Sequence, residues 1–293
     1  MTNVVIGSGG YTGFNLVKRL SKDQEVLAVL SDKHQNRKSG KFYIQNKIKM
    51  LPEIKSLLSE KLNRESKIIY LAGHGTSDHD FNDIELLTHA YITGMAQALE
   101  VARNFNCKIV IGGSYWELVN NPKTNTNINL YASFQAAQKK ILEYFSLEYG
   151  TSIIKVFLAD SYGPNDWRPK LLQTILNTLE TDHVINMGSP KQIIAPIYIN
   201  DVVEDLVDIM NLESSISGSV TYLQLMPEKI YSLEEFINII QLITKKTIPV
   251  KWNEIKKIRS NIEHFPISNS TYKSKHTYLS LKEGLNNVLN LKD

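Results

Sequence analysis

Short apolar runs alternate with longer amphipathic stretches through the first half of the chain. The runs are typical of strands buried on both faces of a parallel sheet: Val4–Ile6, Val26–Leu30, Ile68–Leu71, Ile109–Ile111 and Ile153–Phe157, with a weaker candidate at Lys41–Ile44. The stretches between them have helical length: Tyr11–Leu20, Pro52–Leu62, Ile84–Phe105 and Leu130–Tyr149. This alternation predicts an α/β fold built on a doubly wound parallel sheet.

The alternation breaks off near residue 160. A loop at Gly163–Asp166 is followed by predicted helices at Pro169–Leu179, Asp201–Asn211, Leu233–Thr244 and Leu279–Leu289, and by a strand at Val220–Leu225. We interpret residues 1–160 as a sheet domain and residues 161–293 as a smaller lobe that caps the strand ends. At least one strand of this lobe is expected to return to the main sheet.

Composition narrows the class of protein without naming a function. Apolar residues make up 42% and charged residues 22%, which excludes disordered and fibrous chains. The net charge of +3 is too small to argue for nucleic acid, and the sequence has no apolar run long enough for a membrane span. The single Cys107 cannot form an internal disulfide, and glycines follow the first strand too closely for a signal peptide. We therefore expect a cytoplasmic protein with no nucleic-acid or membrane partner.

A glycine-rich turn joins the first strand to the first helix. Gly7, Gly10 and Gly13 provide a tight turn and a close backbone approach, and the helix start, with Tyr11 and Thr12, supplies N–H groups to a phosphate. This context predicts a dinucleotide site, to which we also assign Ala72 and Gly73 after the Ile68–Leu71 strand. The alternative is a glycine turn that binds no ligand.

The end of the second strand bears on the choice of dinucleotide. Asp32 is a candidate for the ribose hydroxyl of NAD, although it falls one or two residues late. Ser31, Lys33 and Arg37 instead suit the 2′-phosphate of NADP, which the sequence slightly favours. A solvated loop is the remaining reading of these charged residues.

The glycine spacing resembles that of the extended short-chain dehydrogenase/reductases. That family places a Ser or Thr after the next-to-last core strand and a Tyr-x-x-x-Lys on the following helix, and Ser114 and Tyr131 match these positions. Further segments occur in family order: Gly113–Trp116, Asn129–Ala132, Tyr162–Arg168, Ser189–Gln192, Tyr198–Val203 and Ser280–Leu285. Within the family the chain is most similar to the CDP-3,6-dideoxyhexose synthases of the abequose and paratose type.

The resemblance implies a Rossmann-type dinucleotide-binding domain, a substrate-binding lobe, and reduction of a 4-keto nucleotide sugar by a nicotinamide cofactor. Ser114 would hold the keto oxygen and Tyr131 would protonate it; the alternative for Tyr131 is a core residue of its helix. Cofactor contacts are implied for Tyr131, Gln135 and Tyr162, and substrate contacts for His74, Tyr115, Trp116, Asp166 and Arg168. Arg168 is the candidate for a substrate phosphate, or else a surface arginine without a ligand. A homodimer through the helices Ile84–Phe105 and Leu130–Tyr149 is also implied.

Three positions depart from the family pattern. Gln135 replaces the lysine that lowers the pKa of the tyrosine, Tyr91 replaces an asparagine that binds a catalytic water, and Ile194 replaces an arginine found in many relatives. Lys139, one turn further along the helix, either reaches partway back or is simply solvated. These departures keep three functions open: an NAD(P)-dependent reductase or epimerase, a binding protein that has lost catalysis, and an enzyme of altered chemistry.

A cluster of His and Asp residues follows the Ile68–Leu71 strand. It comprises His74, Asp78, His79 and Asp80, whose spacing fits no standard zinc pattern, so we predict no metal site. His74 lies at the carboxyl end of a strand, where the ligands of such sheets bind, and we assign it to cofactor or substrate.

Overall fold

The computed structural model describes residues 2–31, 42–46, 61–76, 79–121, 124–181, 183–213, 218–253 and 262–289, the side chains of residues 31 and 42–46 excepted. In this part of the chain, eight strands form one sheet: β1 (Thr2–Ile6), β2 (Glu25–Ser31), β3 (Phe42–Asn46), β4 (Lys67–Tyr70), β5 (Lys108–Ser114), β6 (Ile153–Leu158), β11 (Val220–Leu225) and β14 (Thr271–Tyr272). Their order is β14-β11-β6-β5-β4-β1-β2-β3 and every neighbouring pair is parallel. The predicted Rossmann-type doubly wound fold is confirmed.

Apolar runs form the central strands because both faces of the sheet are covered. Val5, Ile69 and Ile154 belong to one buried cluster and Val4 and Ile68 to another, and all are at most 1% exposed. The covering helices are α1 (Tyr11–Leu20), α3 (Gly94–Phe105), α4 (Leu130–Tyr149) and α6 (Ile199–Asn211), while α2 (Asp83–Thr88) packs against α4. Within the described residues, no helix is long and apolar enough to cross a membrane.

The predicted helix Ile84–Phe105 is wrong as a single element, because a π-helical segment, His89–Thr93, separates α2 from α3. Backbone carbonyls of this π-helical segment accept hydrogen bonds from side chains of other elements. The Tyr70 phenol donates to Ala90 O at 2.6 Å, and Gln138 Nε2 donates to Tyr91 O at 3.1 Å. This wider turn, of a kind often found at functional sites, brings Tyr91 into the interior.

The second half of the chain builds its own small core and also completes the main sheet. Its helices are α5 (Leu171–Thr181), α7 (Leu233–Thr244) and α8 (Leu281–Leu289), and its short strands pair as β7 (Asp160–Tyr162) with β10 (Pro196–Tyr198), β8 (Ile185–Met187) with β13 (Val250–Trp252), and β9 (Ile193–Ile194) with β12 (Tyr231–Ser232). Ile175, Phe236 and Leu285 are buried in this core. The expected return to the main sheet is confirmed by β11, which pairs with β6.

Element boundaries agree with the sequence to within a few residues. The helices predicted from Pro169 and Leu279 begin two residues later, at Leu171 and Leu281, and the weak strand is present as β3. Most of the predicted helix Pro52–Leu62 lies outside the described residues. The division at residue 160 stays a prediction.

Candidate active site

The glycine turn is the first part of the site. Gly7 has φ +90°, and a Cβ on it would lie 2.3 Å from the Ala72 backbone N. A Cβ on Gly13 would lie 2.4 Å from Gly7 O, so the helix start packs directly on the turn. Only glycine fits either position, and the result is an α1 N-terminus that faces the end of β1 with its first N–H groups lacking partners inside the helix.

The Tyr11 side chain has a structural role. It is buried, and its hydroxyl donates to Pro164 O at 2.9 Å, which ties the start of α1 to the loop after β7. Trp167 packs edge-on against the ring at 5.4 Å. Tyr11 is therefore available to a cofactor only through its backbone, as is Gly10, which caps the helix.

The residues predicted to choose between NAD and NADP fall, except for the backbone of Ser31, outside the described part of the chain. Asp32, Lys33 and Arg37 lie outside the described residues, and Ser31 is described only in its backbone, at the end of β2. Ala72 and Gly73 follow β4 beside the glycine turn, with Ala72 against Gly7.

Ser114, Tyr131 and Gln135 come together at the carboxyl end of β5. Gln135 Oε1 accepts a 2.7 Å bond from the Ser114 backbone N–H, and Asn129 caps the helix that carries Tyr131 and Gln135 through a 2.9 Å bond from Ala132 N. The Ser114 and Gln135 side chains both lie near enough to the Tyr131 phenol to act on its pKa. The sequence-predicted catalytic residues thus form one cluster.

The Tyr131 side chain is partly buried, packed beside Tyr91, and this environment shifts the ionisation of its phenol. Burial raises its pKa, the Glu117 carboxylate adds to the rise, and hydrogen bonding from Ser114, Gln135 and Tyr91 counters it only in part. The net direction is upward from an ordinary value near 10. Tyr131 is a neutral phenol at physiological pH.

Tyr91 links this cluster to the loop after β4. Its ring packs edge-on against Tyr131 at 5.7 Å, and its hydroxyl both accepts from His74 N and donates to His74 O, each at 3.1 Å. His74 Nε2 in turn lies 2.5 Å from Asp83 Oδ1. The Asp80 backbone N–H and the His74 ring hold the pKa of the Asp83 carboxyl below its usual value. His74 is therefore held at this edge of the sheet by its backbone and its ring.

Other predicted substrate residues are engaged inside the protein. Tyr115 is buried, and its hydroxyl donates to Asp160 Oδ2 at 2.9 Å, while Trp116 packs in the same apolar cluster. Arg168 donates to Asp166 from Nε and Nη2, at 2.8 and 2.7 Å, and from Nη2 to Ser161 O at 2.8 Å. Its guanidinium also lies 4.6 Å above the Tyr11 ring. Arg168 in this arrangement braces the loop after β7, and its role in binding a substrate phosphate stays a prediction.

The structure also places Tyr162 and Lys139, the subjects of two further predictions. Tyr162 is buried in the core of the second half, edge-on to Tyr198 at 5.7 Å and against Gly284. Lys139 is 62% exposed and pairs with Glu143 at 3.7 Å, as a solvated lysine would. It does not take the place of the missing lysine.

Three buried residues beside Ser114 were not predicted from the sequence. Lys155, Glu117 and Gln138 form a polar cluster in which Lys155 and Glu117 are an ion pair at 3.2 Å. One signal could have revealed it: Lys155 is the charged residue within the apolar run Ile153–Phe157, and a buried lysine requires a partner.

The described residues contain no group of three or more His, Cys, Asp or Glu side chains arranged to hold a metal ion. Asp78 lies outside those residues.

Comparison with known families decides the assignment of the chain. The sequence profile of the NAD dependent epimerase/dehydratase family matches residues 3–220. The chain belongs to this family.

Individual relatives of this family member are distant. A CDP-abequose synthase from Yersinia pseudotuberculosis is 26% identical over 102 residues, which are 35% of this chain and 36% of that protein. A UDP-glucuronic acid 4-epimerase from Bacillus cereus, solved with UDP-glucuronic acid and NAD, has a TM-score of 0.82 at 14% identity, over 99% of this chain and 98% of that one. A UDP-glucose 4-epimerase from Thermus thermophilus, solved with NAD, has a TM-score of 0.80 at 14% identity, over the same shares. Likeness at such identities is a likeness of fold.

The glycine turn of this epimerase/dehydratase family member fits a dinucleotide. A Cβ at Gly7 or Gly13 would collide with backbone atoms, so both positions require glycine and α1 begins directly against the turn, as a pyrophosphate site at a helix N-terminus requires. Gly7, Gly10 and Gly13, with the backbone of Thr12, are the residues that would hold it.

Proposed function

We propose that this protein is an NAD(P)H-dependent reductase of a 4-keto nucleotide sugar. The observation that carries the proposal is the state of Tyr131: a neutral phenol beside the Ser114 hydroxyl, with an amide where the family has an ammonium. Such a phenol is able to give a proton and poorly able to take one. That asymmetry suits reduction of a carbonyl.

The chain's own residues would act as follows. A bound nicotinamide dinucleotide supplies hydride. The Ser114 hydroxyl donates a hydrogen bond to the keto oxygen and orients it, while Gln135 fixes the Ser114 backbone from the other side. Tyr131 transfers its phenolic proton to the same oxygen as negative charge develops there.

An epimerase would need the opposite proton transfer as well. Oxidation of the sugar hydroxyl requires a phenolate, and with a pKa above 10 fewer than about one Tyr131 in a thousand is ionised at pH 7. The family's lysine would lower the pKa of Tyr131 and so raise the fraction of phenolate, whereas the neutral Gln135 does not. This difference favours reduction over epimerisation.

The identity of substrate and cofactor rests on resemblance. The likeness to a CDP-abequose synthase supports a nucleotide sugar, and the site assignments of His74, Trp116 and Asp166 stay proposals for its binding. The neighbours solved with NAD support a nicotinamide dinucleotide, while Ser31, Lys33 and Arg37 favour NADP.

We further propose a homodimer through the helices that follow β4 and β5, in the cytoplasm. Exposed apolar side chains on and beside α2 and α4 support the interface: Phe81, Ile84, Tyr144 and Leu147 are 90%, 41%, 53% and 70% exposed. Covering them is favourable by about 25 cal/mol per Å² of apolar surface.

A non-catalytic binding protein is the second candidate, and one observation favours it: Gln135 is already engaged by the Ser114 backbone. A panel of 4-keto CDP-, UDP- and dTDP-sugars with NADPH or NADH separates the candidates. Consumption of reduced cofactor supports the reductase. Interconversion of 4-hydroxy epimers without net consumption supports an epimerase, and binding by calorimetry without either reaction supports the binding protein.

A further inference from the structure

Lys155 and Glu117 form a buried ion pair next to the backbone that leads into Ser114. The Lys155 and Glu117 side chains are 1% and 7% exposed, and Lys155 Nζ lies 3.2 Å from Glu117 Oε1. Lys155 belongs to β6, between Ile154 and Val156, both of which are buried. Placing two charges in such surroundings costs several kcal/mol per ion before their attraction is counted.

The pair is in contact with the backbone that carries Ser114. A Cβ on Gly113 would lie 2.6 Å from Lys155 Nζ and 2.3 Å from Glu117 Oε1, so both charged groups press on the residue before Ser114. Glu117 itself belongs to the 3-10 turn Tyr115–Leu118 that follows Ser114, and Ser114 Oγ accepts from Trp116 N at 3.2 Å in that turn. The ion pair therefore contacts the chain on both sides of Ser114: at Gly113 before it and in the 3-10 turn after it.

The same pair is anchored to the helix that carries Tyr131. Lys155 Nζ donates to Gln138 Oε1, and Gln138 Nε2 donates to Tyr91 O at 3.1 Å. One turn earlier on α4, Gln135 holds the Ser114 N–H. The two glutamines thus join β5, β6, the π-helical segment and α4 around the phenol of Tyr131.

We propose that Glu117 and Lys155 are positioning residues of the reaction centre, which fix the Gly113–Ser114 turn and with it the place where the keto oxygen binds. The proposal rests on the proposed function only for its kinetic readout. Buried ion pairs of this kind add little net stability compared with an apolar pair of the same volume, whereas they constrain geometry in several directions at once. The Glu117 charge also raises the pKa of Tyr131, which keeps the phenol protonated.

The test separates geometry from stability. Lys155→Met alone leaves a buried, unpaired carboxylate, so its denaturation midpoint should fall sharply; Glu117→Gln/Lys155→Met removes both charges and should recover most of the midpoint. In the double variant we expect kcat about tenfold or more below wild type, with KM within about threefold. Exchange of the Ser114 amide hydrogen should be about tenfold or more faster. The matched control is Lys139→Met/Glu143→Gln, a pair on α4 whose side chains are 62% and 30% exposed, which should change none of these.

Each outcome decides the proposal. A double variant that equals wild type in kcat and in Ser114 amide exchange would overturn it and leave the pair a structural element. If the double variant does not fold, Glu117→Asp keeps the charge and shortens the reach, and wild-type exchange at Ser114 in that variant would also overturn it. If wild type reduces none of the sugars, the proposed function fails on its own, while the exchange measurement still decides whether the pair fixes the turn.

Discussion

Gln135 Oε1 accepts a 2.7 Å hydrogen bond from the backbone N–H of Ser114. The residue at the family's lysine position therefore has a structural partner of its own. It holds the residue expected to orient the substrate oxygen, and it places no positive charge beside Tyr131.

Gln135→Lys should lower the pKa of Tyr131 by about one to three units, because an ammonium about 4 Å away stabilises the phenolate. Oxidation of the 4-hydroxy sugar with NAD(P)⁺ should then become measurable at lower pH than in wild type. The variant should also lose about 1–3 kcal/mol of unfolding free energy, since the Ser114 N–H loses its acceptor. Both are read from pH–rate profiles and denaturant titrations. Gln135→Met is the control, with the same loss of acceptor and no cation, and identical pH profiles for the two variants would contradict the electrostatic account.

The pH profile expected for the proposed reduction follows from the raised pKa of Tyr131. The protonated phenol is the active form, so the Tyr131 contribution to kcat is complete below its pKa and is lost as the pH rises through it. We expect a constant kcat from about pH 6 to 9 and a fall above about pH 10. A fall centred between pH 7 and 8 that disappears in Tyr131→Phe would show that the phenol ionises far more readily than its burial implies.

Gly7→Ala should damage the dinucleotide site. The methyl group would lie 2.3 Å from the Ala72 N, at a φ of +90° that L-residues avoid. The strain is expected to cost about 1–3 kcal/mol of stability and to weaken dinucleotide binding at least tenfold, measured by denaturation and calorimetry. Gly75→Ala is the control because a Cβ there meets nothing within 4 Å. Unchanged affinity in Gly7→Ala would remove the glycine turn from the cofactor site.

Arg168→Met distinguishes an internal brace from a phosphate ligand. The variant loses the bonds to Asp166 and Ser161, so we expect about 1–3 kcal/mol less unfolding free energy and a KM for the sugar within about threefold of wild type. The exposed Arg64→Met serves as control. A KM raised tenfold with unchanged stability would assign Arg168 to the substrate instead.

Local patterns in the sequence were enough for the fold and for part of the site. The apolar runs predicted strands such as β1 and β11, and the position of Gly7 predicted the turn, because burial and tight turns leave signatures within a few residues. Ser114, Tyr131 and Gln135 were found through the spacing of a known family.

Contacts between distant elements were not predictable in the same way. The ion pair of Glu117 and Lys155 joins residues 38 apart on different elements, and the bonds of Arg168 depend on how its loop folds back. The π-helical segment that turns Tyr91 inward follows from bonds to Tyr70 and Gln138, which no helical periodicity reveals.

The most direct test of the account compares wild type with Tyr131→Phe in the oxidation of NAD(P)H by a 4-keto nucleotide sugar. Tyr149→Phe, an exposed tyrosine at the end of the same helix, is the control. We expect kcat to fall by about 10²- to 10⁴-fold in Tyr131→Phe, with dinucleotide affinity preserved and the control unchanged, because the general acid alone has been removed. Equal rates for wild type and Tyr131→Phe would contradict the role of Tyr131 as the proton donor.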